Sequence, residues 1–170
     1  KKIQELLEER KTVLGMNEEI GKDISKPIAP TEADSFMPRS PEIYFGASRN
    51  EYLGNGTGGK LGIQNFDEPH PEKENILYLV GRWDIQPEFA ENKNSGAKII
   101  FTYQAQNVYF VAGSGKDIRI KIMKDGEFVS EQVVGGHKLY HIIQDSDYGE
   151  HTLEIIIENP GLRAFTFTFG

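Results

Sequence analysis

The chain has 170 residues, of which 38% are hydrophobic and 26% are charged, a balance typical of a folded globular protein rather than a disordered or membrane-spanning one. A net charge of −7 argues against a nucleic-acid partner, since nucleic-acid-binding domains carry a basic surface. No apolar run approaches the ~20 residues of a membrane helix, so no membrane contact is expected. Cysteine is absent, which excludes disulfides, thiolate metal sites and thiol redox chemistry within these residues.

Residues 1–15 carry the pattern of an amphipathic helix. Apolar side chains share one face, charged side chains fill the other, and Gly15 stands where a helix commonly ends. The apolar face consists of Ile3, Leu6, Leu7 and Leu14. Because an isolated helix of this length is marginally stable in water, we expect it to be the end of a preceding domain.

Residues 16–40 lose this periodicity. Gly21 and several prolines interrupt a polar stretch, which favours a linker. The alternative is an ordered arm on the surface of the following domain, anchored by its few apolar side chains. Those side chains are Ile24, Ile28, Phe36 and Met37.

Residues 41–170 are predicted to form a β domain. The stretch Ala97–Ala112 alternates apolar and polar side chains up to Ala105 and then becomes almost continuously apolar. We interpret it as two strands that meet at a tight turn or bulge in the centre of the core. The glycine-rich stretch Gly54–Gly62 lacks the spacing of a phosphate-binding loop and is predicted to be a flexible loop.

The same alternation of apolar and polar side chains, with a period of two residues, predicts the other strands. They are predicted over residues 43–45, 76–85, 117–124, 127–129, 139–143 and 152–158, followed by a last strand that places Phe165, Phe167 and Phe169 in the core. Asp125-Gly126 is the signal of a type I′ hairpin turn. Many short strands without a second helix indicate an all-β antiparallel sandwich or jelly roll, preceded by one helix and a linker.

Five phrases of the sequence occur in an order that resembles one family. They are SPEIYFG at 40–46, LVGRWDI at 79–85, AKIIFTYQAQNVYFVAG at 97–113, DGEFV at 125–129 and RAFTFTFG at 163–170. Together they resemble the C-terminal domain of DipZ-type proteins, from Ser40 to Gly170. In that family a cytochrome c biogenesis-like membrane part precedes a thioredoxin-like domain. A sandwich similar to galactose-binding domains and carbohydrate-binding modules follows.

The resemblance implies a non-catalytic C-terminal accessory domain of an extracytoplasmic thiol–disulfide redox protein, in the periplasm or cell envelope. Its first partner would be the upstream thioredoxin-like domain, of which residues 1–15 would be the last helix. Cell-envelope carbohydrate or a protein substrate would be a further partner. No catalytic residue is carried over, since the Cys-x-x-Cys motif would lie upstream. The alternatives are a docking module that positions the redox domain without binding glycans and, third, a jelly-roll hydrolase with paired carboxylates across a cleft.

Sugar-binding sandwiches stack aromatic rings on sugar rings and hydrogen-bond the sugar hydroxyls with polar side chains. This chemistry selects the candidate ligand-binding residues Tyr44, Tyr52, Arg82, Trp83, Asp84 and Phe89, with Tyr103, Tyr109 and Asn107 as further possibilities. Tyr52 and Phe89 are predicted in exposed loops, where recognition residues are common.

Four of these candidates also have structural interpretations. Trp83 shares a strand face with Leu77 and Leu79, which favours the core, and Tyr103 is expected in the core with its hydroxyl hydrogen-bonded at the sheet rim. Arg82, Trp83 and Asp84 would alternatively form a local cation–π and ion-pair cluster.

Metal binding has little support in the sequence. Asp145, Asp147 and Glu150 offer oxygen atoms that suit Ca²⁺, but they lack the spacing and glycine of an EF-hand loop, so a solvated turn is favoured. The histidines show no metal-ligand spacing, and His141 is expected to be exposed or hydrogen-bonded. No cofactor is expected.

Overall fold

The computed structural model describes residues 40–70 and 73–170, which form nine β-strands. The strands are β1 (Ile43–Tyr44), β2 (Gly62–Phe66), β3 (Leu77–Ile85), β4 (Ala90–Asn92), β5 (Ala97–Ser114), β6 (Ile118–Lys124), β7 (Glu127–Val134), β8 (Lys138–Ile157) and β9 (Leu162–Phe169). Within these ranges no helix is long and apolar enough to cross a membrane. The predicted helix at 1–15 and all of the predicted linker except residue 40 lie outside the described residues.

The strands pair antiparallel in the order β1-β9-β4-β3-β5-β8-β6-β7, with β2 added to β3. Because β3, β5 and β8 each pair with different neighbours along their two halves, the sheet folds over into two layers. The first layer holds the start of β3 and β5, the end of β8, and β6 and β7. The second layer holds the remaining halves with β1, β2, β4 and β9. The prediction of an all-β antiparallel sandwich is confirmed.

The long antiparallel pair of β5 and β8 connects the two layers. The ladder between these strands shifts register between Ala105 and Asn107, so a bulge bends the pair without ending either strand. The prediction of two strands within Ala97–Ala112 is therefore wrong, because β5 is one continuous strand. The two strands predicted at 139–143 and 152–158 are likewise the two ends of β8.

The tight turn between β6 and β7 is confirmed. Asp125 and Gly126 have φ angles of 53° and 81°, which is the left-handed pair that a type I′ turn requires. The glycine-rich loop, by contrast, is held by side chains. The amide group of Asn55 donates to the Leu79 carbonyl and accepts from the Leu79 N–H, which ties the loop to β3.

The core lies between the two layers and is rich in aromatic rings. Its largest fully buried side chains include Phe45, Trp83, Phe101, Tyr103, Phe110 and Phe167. The prediction that Phe165 also belongs to the core is wrong, because a bulge where β9 pairs with Val111 and Ala112 turns its ring outward. The hydroxyl of Tyr103 is buried but has no hydrogen-bond partner among the described residues, contrary to expectation.

Candidate functional site

The outer face of the second layer gathers aromatic and imidazole rings that do not belong to the core. These rings are partly exposed, and their strands hold them on one side of the sheet through the cross-strand pairs Tyr44–Thr166, Tyr109–Thr168 and Tyr109–His141. We call this surface the aromatic face and define it by Tyr44, Phe89, Tyr109, His137, His141 and Phe165.

Tyr109 and His141 form the first ring group of the aromatic face. Their rings stack with centroids 4.5 Å apart and an interplanar angle of 23°. His141 Nε2 lies 3.0 Å from Asn107 Oδ1, which fixes the orientation of the imidazole. Among the described residues the amide nitrogen of Asn107 makes no hydrogen bond, so it is available as a donor beside the stacked rings. Two stacked rings beside a hydrogen-bond donor suit a ligand that has both apolar faces and hydroxyl groups.

Phe165 is the centre of the second ring group. Its ring lies 5.4 Å from Phe89 and 5.2 Å, edge to face, from His137. Gly113 makes room for this group, because a Cβ atom at Gly113 would lie 1.7 Å from Cδ2 of His137. The guanidinium of Arg163 lies 5.3 Å from the Phe89 ring centroid and adds a cation at the edge of the group.

Tyr44 lies on the neighbouring strand β1. The guanidinium of Arg49 stacks 3.4 Å above its ring centroid, and its hydroxyl donates a hydrogen bond to Glu42. The hydrogen bond to Glu42 is the main cause of the raised pKa of the Tyr44 hydroxyl. This end of the face therefore presents a polar hydroxyl, a carboxylate and a guanidinium together.

The structure divides the sequence-predicted ligand residues into two sets. Tyr44, Arg82, Asp84 and Phe89 lie on the outer face of the second layer. Trp83 points the other way and is fully buried, with its indole N–H donating to the Val80 carbonyl at 3.0 Å. Tyr52 lies in a turn, as predicted, but its side chain is half-buried and packs against the core.

Trp83 and Arg82 form no cation–π pair. Asp84 instead pairs with Lys93 and accepts a hydrogen bond from Gln86. The alternative of a local Arg82–Trp83–Asp84 cluster is therefore wrong.

The sequence pattern does not identify His137, His141, Phe165 or Arg163 as site residues. Alternation predicts Phe165 in the core, and a bulge inverts that alternation. The spacing of the histidines carries information on metal binding but none on ring contacts. Tyr109 and Asn107 are among the further possibilities, and the cross-strand register supplies the partner, His141, that the sequence does not show.

A compact ion-pair network borders the second ring group. Arg163 Nε lies 2.8 Å from Glu91 Oε2, and Lys93 Nζ lies 2.6 Å from Glu91 Oε1. Burial opposes ionisation of the Glu91 carboxyl, but the hydrogen bonds from Lys93 and Arg163 outweigh it and hold its pKa below the usual value. The pKa of the Lys93 ammonium is raised, and the main cause is the hydrogen bond from Lys93 to Glu91.

Glu91→Gln is expected to lower the free energy of unfolding at pH 7 by about 1–2 kcal/mol, because hydrogen bonds to a charged group are lost. The folded-state pKa of Glu91 is depressed, so its contribution is present above the unfolded value of about 4.3 and is lost as pH falls below it. Urea unfolding at pH 7 and pH 3 measures this. The gap between wild type and Glu91→Gln should narrow at pH 3, and a gap that stays constant would contradict the assignment.

The predicted oxygen ligands for Ca²⁺ do not come together. Asp145 pairs with Lys124 Nζ at 2.6 Å, Asp147 accepts from the Ser146 hydroxyl, and Glu150 lies 3.4 Å from Gln104. In residues 40–70 and 73–170 no three His, Asp or Glu side chains could jointly hold a metal ion.

Comparison with known protein families shows to which family this domain belongs. The profile of the thioredoxin-like C-terminal domain family matches residues 40–170, which is the whole described sandwich. This chain belongs to that family. The resemblance predicted from the five phrases is confirmed by similarity to Protein DipZ of Mycobacterium bovis and of Mycobacterium tuberculosis. Each is 28% identical over 153 residues, which are 88% of this chain. The chain spans only 21% of the length of these relatives.

Solved structures with a similar fold include family two carbohydrate esterases. The enzyme from Clostridium thermocellum, solved in complex with cellohexaose, aligns with a TM-score of 0.52 over 55% of this chain and 31% of its own, at 18% identity. The enzyme from Cellvibrio japonicus aligns with a TM-score of 0.51 over 65% of this chain and 33% of its own, at 15% identity. At 18% and 15% identity, these similarities show a shared fold and nothing further.

Proposed function

We propose that residues 40–170 form a non-catalytic accessory domain of an extracytoplasmic thiol–disulfide redox protein and bind an extended carbohydrate on the aromatic face. The observation that carries this proposal is the grouping of Tyr109, His141 and a free Asn107 donor on the same outer sheet face as the Phe165 group. Flat rings for sugar faces and hydrogen-bonding groups for hydroxyls are the chemistry that such a ligand needs.

The redox chemistry of the proposed parent would belong to its other parts. This chain has no cysteine, so it has no thiolate to attack a disulfide. Membership in a thioredoxin-like C-terminal domain family and similarity to DipZ support a parent with a thioredoxin-like domain. The role proposed for the sandwich is to hold that parent at a carbohydrate surface.

The spacing of the ring groups favours an oligosaccharide over a single sugar. Tyr109 belongs to the first group, and Gly113, which underlies the second, is four residues further along β5, or about 13 Å at 3.3 Å per residue. Val111 and Thr166 lie between the groups on the same face. A ligand that contacts both groups must be extended, so affinity should rise with the number of sugar units.

Tyr109→Ala is expected to weaken oligosaccharide binding about tenfold, because it removes the exposed ring of the first group and the partner that orients His141. Isothermal titration with cellohexaose and with soluble cell-wall oligosaccharides measures this change. Phe128→Ala is the matched control, since it removes an exposed aromatic ring from β7, in the other layer. Equal affinity in wild type and Tyr109→Ala, or no binding by the folded domain, would contradict the proposed function.

A second candidate function, protein docking, is favoured by one specific feature. Among the strands of residues 40–70 and 73–170, β7 lies at an edge of the sheet, and it exposes Phe128, Val129 and Val133 by 61%, 46% and 52%. Exposed apolar side chains beside unpaired backbone groups suit contact with another polypeptide, such as the redox domain or its substrate. If docking is the function, Phe128→Ala should weaken binding to the redox domain while Tyr109→Ala leaves that binding unchanged.

A further inference from the structure

One end of the core contains polar side chains that are buried without satisfying each other. Tyr103 on β5 is fully buried and pairs with His151 on β8, with the two ring centroids 6.0 Å apart. The Tyr103 hydroxyl and Oδ2 of Asp145 are both buried, and neither has a hydrogen-bond partner among the described residues. Such groups cost free energy unless something pairs with them, so each calls for an explanation.

His151 lies beside both groups, and only one of its two ring nitrogens forms a hydrogen bond with a described residue. Its Nδ1 lies 2.7 Å from Asp125 Oδ2, while its Nε2 lies 4.0 Å from Asp145 Oδ2, too far for a hydrogen bond. Asp125 is itself fixed, because its Oδ1 accepts the Thr152 N–H at 2.8 Å. When Nδ1 carries the proton donated to Asp125, Nε2 presents a lone pair. Metal-binding histidines are characteristically held by a carboxylate in this way.

We propose that His151 Nε2, Asp145 Oδ2 and the Tyr103 hydroxyl oxygen bind a divalent first-row metal ion, best matched by Zn²⁺, with Asp125 as the residue that positions His151. Zinc–nitrogen and zinc–oxygen distances are about 2.0–2.2 Å, so an ion that contacts both atoms across the 4.0 Å gap would have a ligand angle of roughly 130–180°. A tetrahedral angle requires rotation of the Asp145 side chain that brings Oδ2 to about 3.4 Å from Nε2. A mixed imidazole and oxygen donor set suits zinc better than calcium or magnesium.

The charges at this end of the core fit a dication. Burial, together with the carboxylates of Asp145 and Asp125, raises the pKa of Tyr103, so the hydroxyl is protonated when no ion is present. A bound metal ion reverses that effect and favours the phenolate. The two carboxylates and the phenolate would then balance the dication and the ammonium of Lys124, which lies 2.6 Å from Asp145 Oδ1. The phenol is the essential third ligand, since His, Asp and Glu alone do not form a set of three here.

This site joins parts of the chain that are far apart in sequence. Tyr103 lies on β5, Asp145 lies within the bulge of β8 and His151 just after it, and Asp125 forms the turn between β6 and β7. An ion bound there would tie the hairpin of β6 and β7 to the central strands. Its expected role is structural, since a ligand that binds only the folded state stabilises it in proportion to its saturation. The inference is independent of carbohydrate binding.

The test is titration of chelator-treated protein with ZnCl₂, followed by calorimetry and by a thermal melt. We expect one ion per chain, a raised melting temperature, and a tyrosinate difference absorption as the Tyr103 proton is released. His151→Gln and Tyr103→Phe should each weaken zinc binding at least tenfold. Asp125→Asn, which keeps the turn, should weaken it about 10–100-fold. His70→Gln is the matched control, because it removes an exposed imidazole elsewhere and should leave the affinity unchanged.

Tyr103→Phe keeps the test decisive if His151→Gln unfolds. The hydroxyl that it removes has no partner, so the metal-free variant should melt at or above the wild-type temperature. Absence of zinc binding by the wild type, or unchanged zinc affinity in Tyr103→Phe, would overturn the assignment. A zinc affinity equal to that of Mg²⁺ or Ca²⁺ would also overturn it, since the imidazole would then make no contribution.

Discussion

Phe167→Ala is expected to lower the free energy of unfolding by about 3–5 kcal/mol, the range found when a large buried aromatic ring is removed. Phe167 is fully buried, and its ring centroid lies 4.9 Å from Phe110, 5.2 Å from Phe45 and 6.2 Å from Phe101. These rings come from β5 and from the start of the domain, so the cavity would open where the two layers meet. Urea unfolding measured by far-UV circular dichroism gives the change.

Phe165→Ala is the matched control, two residues away on the same strand. Its ring contacts Phe89 and His137 on the outer face and lies partly in solvent. Because its removal leaves no buried cavity, the expected loss is about 1 kcal/mol or less. Equal losses in Phe165→Ala and Phe167→Ala would mean that both rings are core residues and that the bulge in β9 is misplaced.

The contrast between these two phenylalanines shows which parts of the fold a sequence pattern can predict. On β6, unbroken alternation places Ile118, Ile120 and Ile122 inward, and all are fully buried. On β9, alternation runs through Phe165, Phe167 and Phe169, but the ladder shifts register beside Val111 and the first ring turns outward. A bulge adds one residue to a strand and so interrupts the alternation of inward and outward side chains. No residue type in this stretch indicates that a bulge is present.

The division of the chain into strands is wrong at two places for the same physical reason. The loss of alternation after Ala105 predicts the end of one strand, and the polar residues Asp145, Asp147 and Glu150 predict a solvated turn. Each is one side of the same irregularity, where Ala105 pairs with Gly149 and Asn107 with Gln144. The extra residues of β8 bulge out while both strands continue. Long bent strands of this kind are set by partner register, which a single strand's sequence does not contain.

The candidate site was predictable only where residue type alone sufficed. Exposed tyrosines and Phe89 could be chosen as ring donors, and the placement of Tyr44 and Phe89 on one face agrees with that choice. Trp83 shows the limit, because it lies between Arg82 and Asp84 in sequence yet points into the core. The pairing of Tyr109 with His141 joins residues on two strands, so it follows from the ladder and not from spacing.

Asn92→Ala is expected to lower the free energy of unfolding by about 2–4 kcal/mol, although it removes only a small polar side chain. Asn92 is fully buried at the end of β4, where its Oδ1 accepts the N–H groups of Gly161 and Leu162 at 3.0 and 2.8 Å. Its Nδ2 donates to the carbonyls of Asn94 and Asn159 at 2.9 and 3.0 Å. The truncation would leave the buried Leu162 N–H without a partner and remove one partner from each of the two carbonyl groups, while the Gly161 N–H keeps its bond to the Asn92 carbonyl at 2.9 Å.

The hydrogen bonds of Asn92 therefore connect the end of β4 to the turn that precedes β9. Asn65→Ala is the matched control, since Asn65 is exposed on β2 and its loss should change stability by about 0.5 kcal/mol or less. Asn92→Asp separates the two halves of the contact, because it retains the acceptor for Gly161 and Leu162 but directs a carboxylate oxygen at two carbonyl groups. Guanidinium unfolding at pH 7 should rank Asn92→Ala and Asn92→Asp both well below Asn65→Ala, and a ranking in which Asn92→Asp matches wild type would show that only the acceptor half matters.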